Sequence, residues 1–163
     1  MKITLTSGVG TGSTLLSAFD AALQDCGVSN YNIIVLSSVI PPHSEIVKEK
    51  YVTPDTEYGD RLYVVRAEER CDIKGKFIGA AIGWYQREDK GGLFVEHEMC
   101  GNSKEEVEQK LRSDVFSSLK DLCKFRNYPC QEKDINIEMN ITQVQDSPTC
   151  VQVMAVYKSE RWE

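Results

Sequence analysis

The chain has 163 residues, is 41% hydrophobic and carries a formal net charge of −6. That length suits a single domain, 1–163, with an ordinary core. The charge argues against a broad electrostatic grip on nucleic acid. No apolar run approaches the roughly 20 residues of a membrane helix.

The first residues, "MKITLTSGVG", hold one lysine and no long apolar stretch, so they do not read as a secretory signal. Ile3 and Leu5 alternate with polar residues, as a strand would. "GVGTGST" then reads as a flexible loop. A helix is predicted over "LLSAFDAALQDC", with Leu15, Leu16, Phe19 and Ala22/Leu23 on its apolar face and Gly27 as its stop. "YNIIVLSS" is predicted as a buried second strand. The connection from Pro41 to Asp60 is broken by three prolines and is the least regular part of the chain. "RLYVVRAEE", "KFIGAAIGWYQ" and "GGLFVEHEM" read as three strands. Ser103 and Glu106 predict a capping box opening a helix whose apolar positions are Val107, Leu111, Val115, Leu119, Leu122 and Phe125. "INIEMNITQV" alternates strictly and is expected to pair with "TCVQVMAVYK" across "QDSP". Sheets bearing helices fit this order better than strict βαβ alternation. The expected fold is α+β, a four-layer αββα sandwich of two sheets with helices outside.

Six cysteines are present, none in C-x-x-C spacing, and only His43 and His97 could join them in a zinc site. Reduced, mostly buried thiols in a cytoplasmic protein are expected, and no metal.

Several residues invite a functional reading beside a plain one. The Gly8–Gly12 stretch could cradle a phosphate at a helix N-terminus, but it lacks the order of a dinucleotide fingerprint and the lysine of a P-loop, so a permissive turn is favoured. Asp20 in the first helix is either a solvated neighbour of the apolar face or a partner for a cation such as a guanidinium. Glu96 and Glu98 share one strand face and His97 takes the other. That pair is either a solvent-facing stripe or a site for acid–base work, and the alternation disfavours a joint metal site. Asn32, in an apolar strand, is a buried amide needing partners, as a bracket or a site residue.

Three segments in order, "SGVGTGSTLLSAFDAAL", "NIIVLSSVIPPHSEIV" and "GGLFVEHEMCGNSKEE", together resemble the pyruvoyl-dependent arginine decarboxylases. The resemblance extends over nearly the whole chain. It implies a proenzyme that cuts itself between Ser37 and Ser38, giving a small chain 1–37 and a large chain 38–163. Ser38 would become a covalently bound pyruvoyl group, the cofactor. By the same resemblance Asn32 would sit beside it, Glu96 would be the proton donor and Asp20 would receive the guanidinium. The implied reaction converts L-arginine to agmatine and CO2 through a Schiff base, in a homotrimer of cleaved protomers with sites near subunit boundaries. A decarboxylase of another amino acid and an uncleaved small-molecule-binding module are the alternatives.

This chemistry sets physical demands. A hydroxyl must be held against the preceding carbonyl, as a strained turn between a fixed strand and the Pro41-Pro42 stop would do. A glutamate donating a proton near neutral pH needs an apolar setting. An unpaired carboxylate in the pocket would penalise substrates lacking a cation.

Overall fold

In the computed structural model, which describes residues 1–163, two β-sheets face each other and each carries one helix. The first sheet contains β1 (Lys2–Thr11), β2 (Asn32–Val35), β4 (Glu45–Lys48), β5 (Arg61–Cys71) and β9 (Thr149–Glu160) in the order β2-β5-β9-β1-β4. The second contains β3 (Val39–Ile40), β6 (Phe77–Arg87), β7 (Gly91–Gly101) and β8 (Asn136–Gln143) in the order β3-β7-β6-β8, antiparallel throughout. The chain is thus α+β, as its pattern predicts.

Period-two alternation supplies the space between the sheets. Val65, Ala67, Val151, Val153 and Ala155 of the first sheet meet Ile78, Ala80, Ile82, Trp84 and Phe94 of the second, all buried. The alternate positions of the second sheet, Ala81, Tyr85, Leu93 and Val95, pack on α2 (Lys104–Phe125) through Val107, Leu111, Val115 and Leu119. α1 (Leu15–Cys26) covers the outer face of the first sheet, with Leu23 and Cys26 against Leu62, Val64, Met154 and Val156.

β1 runs on through Thr11, so the first part of the predicted flexible loop, Gly8–Thr11, is strand, and only Gly12–Thr14 lie between β1 and α1. Its glycines are there because α1 lies directly on it. A Cβ at Gly8 would stand 2.7 Å from the Ala22 carbonyl oxygen, and one at Gly10 would fall inside the α1 backbone at Ala18 and Ala22. Helix backbone therefore leaves no room for a phosphate over Gly8 and Gly10. That close approach also sets the buried face of α1. Ala18, Ala22, Leu23 and Cys26 are buried, Phe19 is half-buried, and Leu15 and Leu16 point outward, Leu16 being 70% exposed. Thr14 and Ser17 close a capping box at the start of α1, and Gly27 ends it at φ 84°.

The expected closing hairpin does not form. β8 pairs with β6 in one sheet, whereas β9 lies between β5 and β1 in the other. Residues 144–148 carry the chain across. β9 is buried on both faces from Thr149 to Val156, as a central strand must be, while β8 is an edge. The α2 box also differs. Ser103 accepts from the Glu106 amide, but the Glu106 carboxylate takes the Asn102 amide instead of that of Ser103. Phe125, at the end of α2, is exposed. All six cysteines are free thiols, with Cys100 exposed and Cys130 partly so.

Candidate active site

β2 and β3 belong to different sheets, so residues 36–38 cross from one to the other. Each end of the crossing is tied. The Leu36 amide donates to the Val64 carbonyl of the first sheet at 2.8 Å, and the Ser38 carbonyl accepts from the Phe94 amide of the second at 2.8 Å. Between these ties Ser38 takes φ 70°, the left-handed region that an L-residue enters at a cost. Pro41 and Pro42 follow β3 at once; lacking N–H groups, they cannot extend its ladder. Gly91, at φ 74°, lets β7 pass there, because a Cβ would meet the Ile40 carbonyl. The strained turn expected before the proline stop is therefore present, with Ser38 at its centre.

The Ser38 hydroxyl donates to Glu96 Oε1. Glu96 lies opposite Ile82 on the β7 face that looks toward the other sheet, and is half-buried. Glu98 follows on that same face, and His97 points to the other, where its Nε2 bonds Ser118 Oγ at 2.8 Å. Glu98 approaches Glu69 of β5. Burial pushes the Glu69 carboxyl above its ordinary range, with Glu98 and Glu68 adding to it.

Asn32 and Asp20 stand differently. Asn32 is exposed, not buried, because β2 is an edge strand; its amide donates to the Gly59 carbonyl at 2.6 Å. Asp20 lies on the exposed side of α1, accepting from Gln24 Nε2 at 3.3 Å. Neither bonds Ser38 or Glu96. The crossing and β7 bring Ser38 and Glu96 together, while Asn32 and Asp20 stay on the first sheet and its helix.

One neighbour escaped the sequence reading. Tyr157 donates from its hydroxyl to the Val39 carbonyl at 2.9 Å, its ring edge-on to Phe94 with centroids 6.3 Å apart. Burial, and then the Glu96 carboxylate, push its phenol upward, so it remains a donor. The only signal in the chain was a polar-tipped residue ending the apolar face of Val151, Val153 and Ala155.

This arrangement can perform particular chemistry. Glu96 can take the proton of the Ser38 hydroxyl and free it to attack a neighbouring carbonyl carbon. The Phe94 amide can stabilise negative charge building on the Ser38 carbonyl oxygen. A serine with a carboxylate on its hydroxyl, an amide on its carbonyl and a strained φ fits the requirements for forming a pyruvoyl group in place.

A family profile described as pyruvoyl-dependent arginine decarboxylase matches residues 2–161. The chain is 33% identical over 122 residues to the pyruvoyl-dependent arginine decarboxylase of Thermoplasma volcanium, a match covering 72% of this chain and 67% of that protein. It is 36% identical over 105 residues to the protein so named from Methanococcus aeolicus, covering 63% and 61%. Against that of Methanothermobacter thermautotrophicus it is 30% identical over 132 residues, covering 81% and 82%. The match to the Methanococcus aeolicus protein thus spans about three fifths of that relative's length.

Proposed function

We infer that this chain, which belongs to the pyruvoyl-dependent arginine decarboxylase family, is a self-processing carboxy-lyase converting L-arginine to agmatine and CO2. The observation that carries the reading is the Ser38 hydroxyl held on Glu96 at a left-handed turn, where the chain crosses between sheets. A non-processed module built on the glycine-rich stretch is not favoured, since Gly8 and Gly10 lie in a strand covered by α1.

Residues 1–163 act as one domain, cut between Ser37 and Ser38. The Ser38 hydroxyl attacks the Ser37 carbonyl carbon as its proton passes to Glu96, and the Ser38 nitrogen takes up that proton and leaves as the amine. An ester then joins the two halves. Loss of the Ser38 α-proton puts charge on the Ser38 carbonyl oxygen, which faces the Phe94 amide, and the bond from Cβ to Oγ breaks. Ser37 departs as a carboxylate, ending chain 1–37. Water then replaces the Ser38 nitrogen, which is lost as ammonia, and residue 38 heads chain 38–163 as a pyruvoyl group. That group supplies an electron sink when a carboxylate leaves an amine-bearing carbon. Glu96, at the same spot, is the residue to return a proton to that carbon. Asn32 borders the site from β2, and Asp20 receives the guanidinium in a charge-assisted bond.

The finer architecture follows from the same reading. The layers run helix, sheet, sheet, helix, a four-layer αββα sandwich assembled as a homotrimer. Its support is the outer edge of β2, where Ile34 and Val35 lie exposed beside Val39, an apolar strip of the kind that partners cover. Asp20 makes no contact with Ser38 in its own protomer, consistent with a site completed across a subunit boundary. No helix is long and apolar enough to cross a membrane, and the free thiols suit a cytoplasmic setting.

Mass spectrometry of the purified, denatured protein tests the reading. It should give chains 1–37 and 38–163, the second blocked to Edman sequencing, while Ser38→Ala stays whole. Only intact chain after prolonged incubation would remove the pyruvoyl assignment. CO2 release from a panel of amino acids should favour arginine over lysine and ornithine; equal rates would remove the substrate assignment alone.

A further inference from the structure

We propose that Tyr157 is a positioning residue for the self-cleavage, its hydroxyl clamping the Val39 carbonyl so that Ser38 is held in its reactive turn. This rests on the self-processing reading above. Just before β3 the Ser38 carbonyl faces β7 and bonds Phe94, and within β3 Ile40 pairs with Gly92. Antiparallel pairing sends alternate carbonyls to opposite sides. The Val39 carbonyl therefore points off the ladder, and no backbone group of β7 can take it. An edge carbonyl of this kind is normally left to water.

Here a side chain from the opposite sheet fills that role. β9 carries an extra residue at this point, since Val156 stands opposite Val64 and Lys158 opposite Tyr63, leaving Tyr157 between them. Such bulges recur beside active sites, and Tyr157 keeps the inward face of Val151, Val153 and Ala155. The Tyr157 ring settles against Phe94, whose amide holds Ser38, and its hydroxyl reaches Val39. Successive carbonyls, of Ser38 and Val39, are thus pinned from different sheets, the first by the Phe94 amide and the second by Tyr157. Leu36 is pinned to Val64 on the other side of the cut. A backbone free to turn at Val39 would let Ser38 relax to negative φ and swing its hydroxyl away from Glu96.

Tyr157→Phe keeps the ring and removes the bond. Its self-cleavage half-time should lengthen by about 10- to 100-fold, the cost of a misplaced reacting group, with no change in the shape of the cleavage-rate pH profile. Met154→Ala, a destabilising change elsewhere on β9, should cleave at the wild-type rate. Cleavage of Tyr157→Phe at the wild-type rate would overturn the inference while leaving self-processing intact. A displaced alkaline limb would also overturn it, since Tyr157 would then be exchanging the reacting proton. Equal slowing in Met154→Ala would reduce the effect to lost stability, and an uncleaved wild type would remove both the inference and the reading beneath it.

Discussion

β2 and β9 flank β5 on its two sides and have opposite fates. β2 reads Asn-Ile-Ile-Val, the more apolar of the two, yet its residues are exposed or half-buried, with Val35 53% exposed. β9 holds Gln152 and Thr149 and is buried from Thr149 to Val156. Composition does not separate them; position does. β9 has a strand on each side, α1 on one face and the second sheet on the other. β2 has β5 alone. A central strand can absorb a polar side chain if it finds a partner; Gln152 does so by half, its Nε2 donating to the Phe19 carbonyl at 3.3 Å while its Oε1 stays unpaired. An apolar strand on an edge is explained instead by what covers it, which in the proposed homotrimer is a second copy of the chain.

The larger effect of burial falls on β9. Met154 is fully buried against α1, so Met154→Ala should cost about 2–5 kcal/mol, read as a lower urea midpoint at unchanged slope. A change below about 0.5 kcal/mol, as at a typical surface position, would erase the distinction between the strands.

The β2 side gives a smaller effect of another kind. Val35→Asp should move the urea midpoint of the separated protomer little, since Val35 is half open to water. It should nonetheless raise the dissociation constant of the assembly about tenfold or more, or about 1.4 kcal/mol, seen by light scattering across a dilution series. Unaltered assembly would move the subunit boundary away from β2.

The smallest effect lies on β5 itself, where Glu69 faces Glu98. The Glu69 carboxyl is raised above its ordinary range by burial first and by the nearby carboxylates second. Between its unfolded and folded values the folded chain holds the extra proton, so stability falls as pH rises through that window. Glu69→Gln should therefore be the more stable protein at pH 7, with the difference closing below the ordinary glutamate range. Parallel denaturation curves at all pH values would show that Glu69 is not strained by its setting.

Much of the fold was legible in the chain. Strand alternation and helical spacing mark local periods, and the end signals Gly27 and Ser103 act within a turn of their helices. The misreadings share one cause. The glycines of β1 look like loop residues until α1 is laid over them, and Leu15 and Leu16 look like core until the close approach at Gly8 and Gly10 turns Ala18 and Ala22 inward. β8 and β9 look like a hairpin because they are consecutive, but hydrogen bonding between strands is not a local property.

The candidate site divides in the same way. Ser37, Ser38, Glu96, Asn32 and Asp20 were marked by residues that resemble a known family, and spacing alone left each with a bland alternative. The periods, the helix ends and the Pro41-Pro42 stop are written in the chain, because they depend on neighbours within a few residues. Long-range packing is what makes the Ser38 hydroxyl meet Glu96, brings Tyr157 to Val39 and leaves Asn32 exposed. Those contacts join residues 58 and 118 positions apart in the first two cases. They exist only because two sheets stack face to face and the chain crosses between them at Ser38.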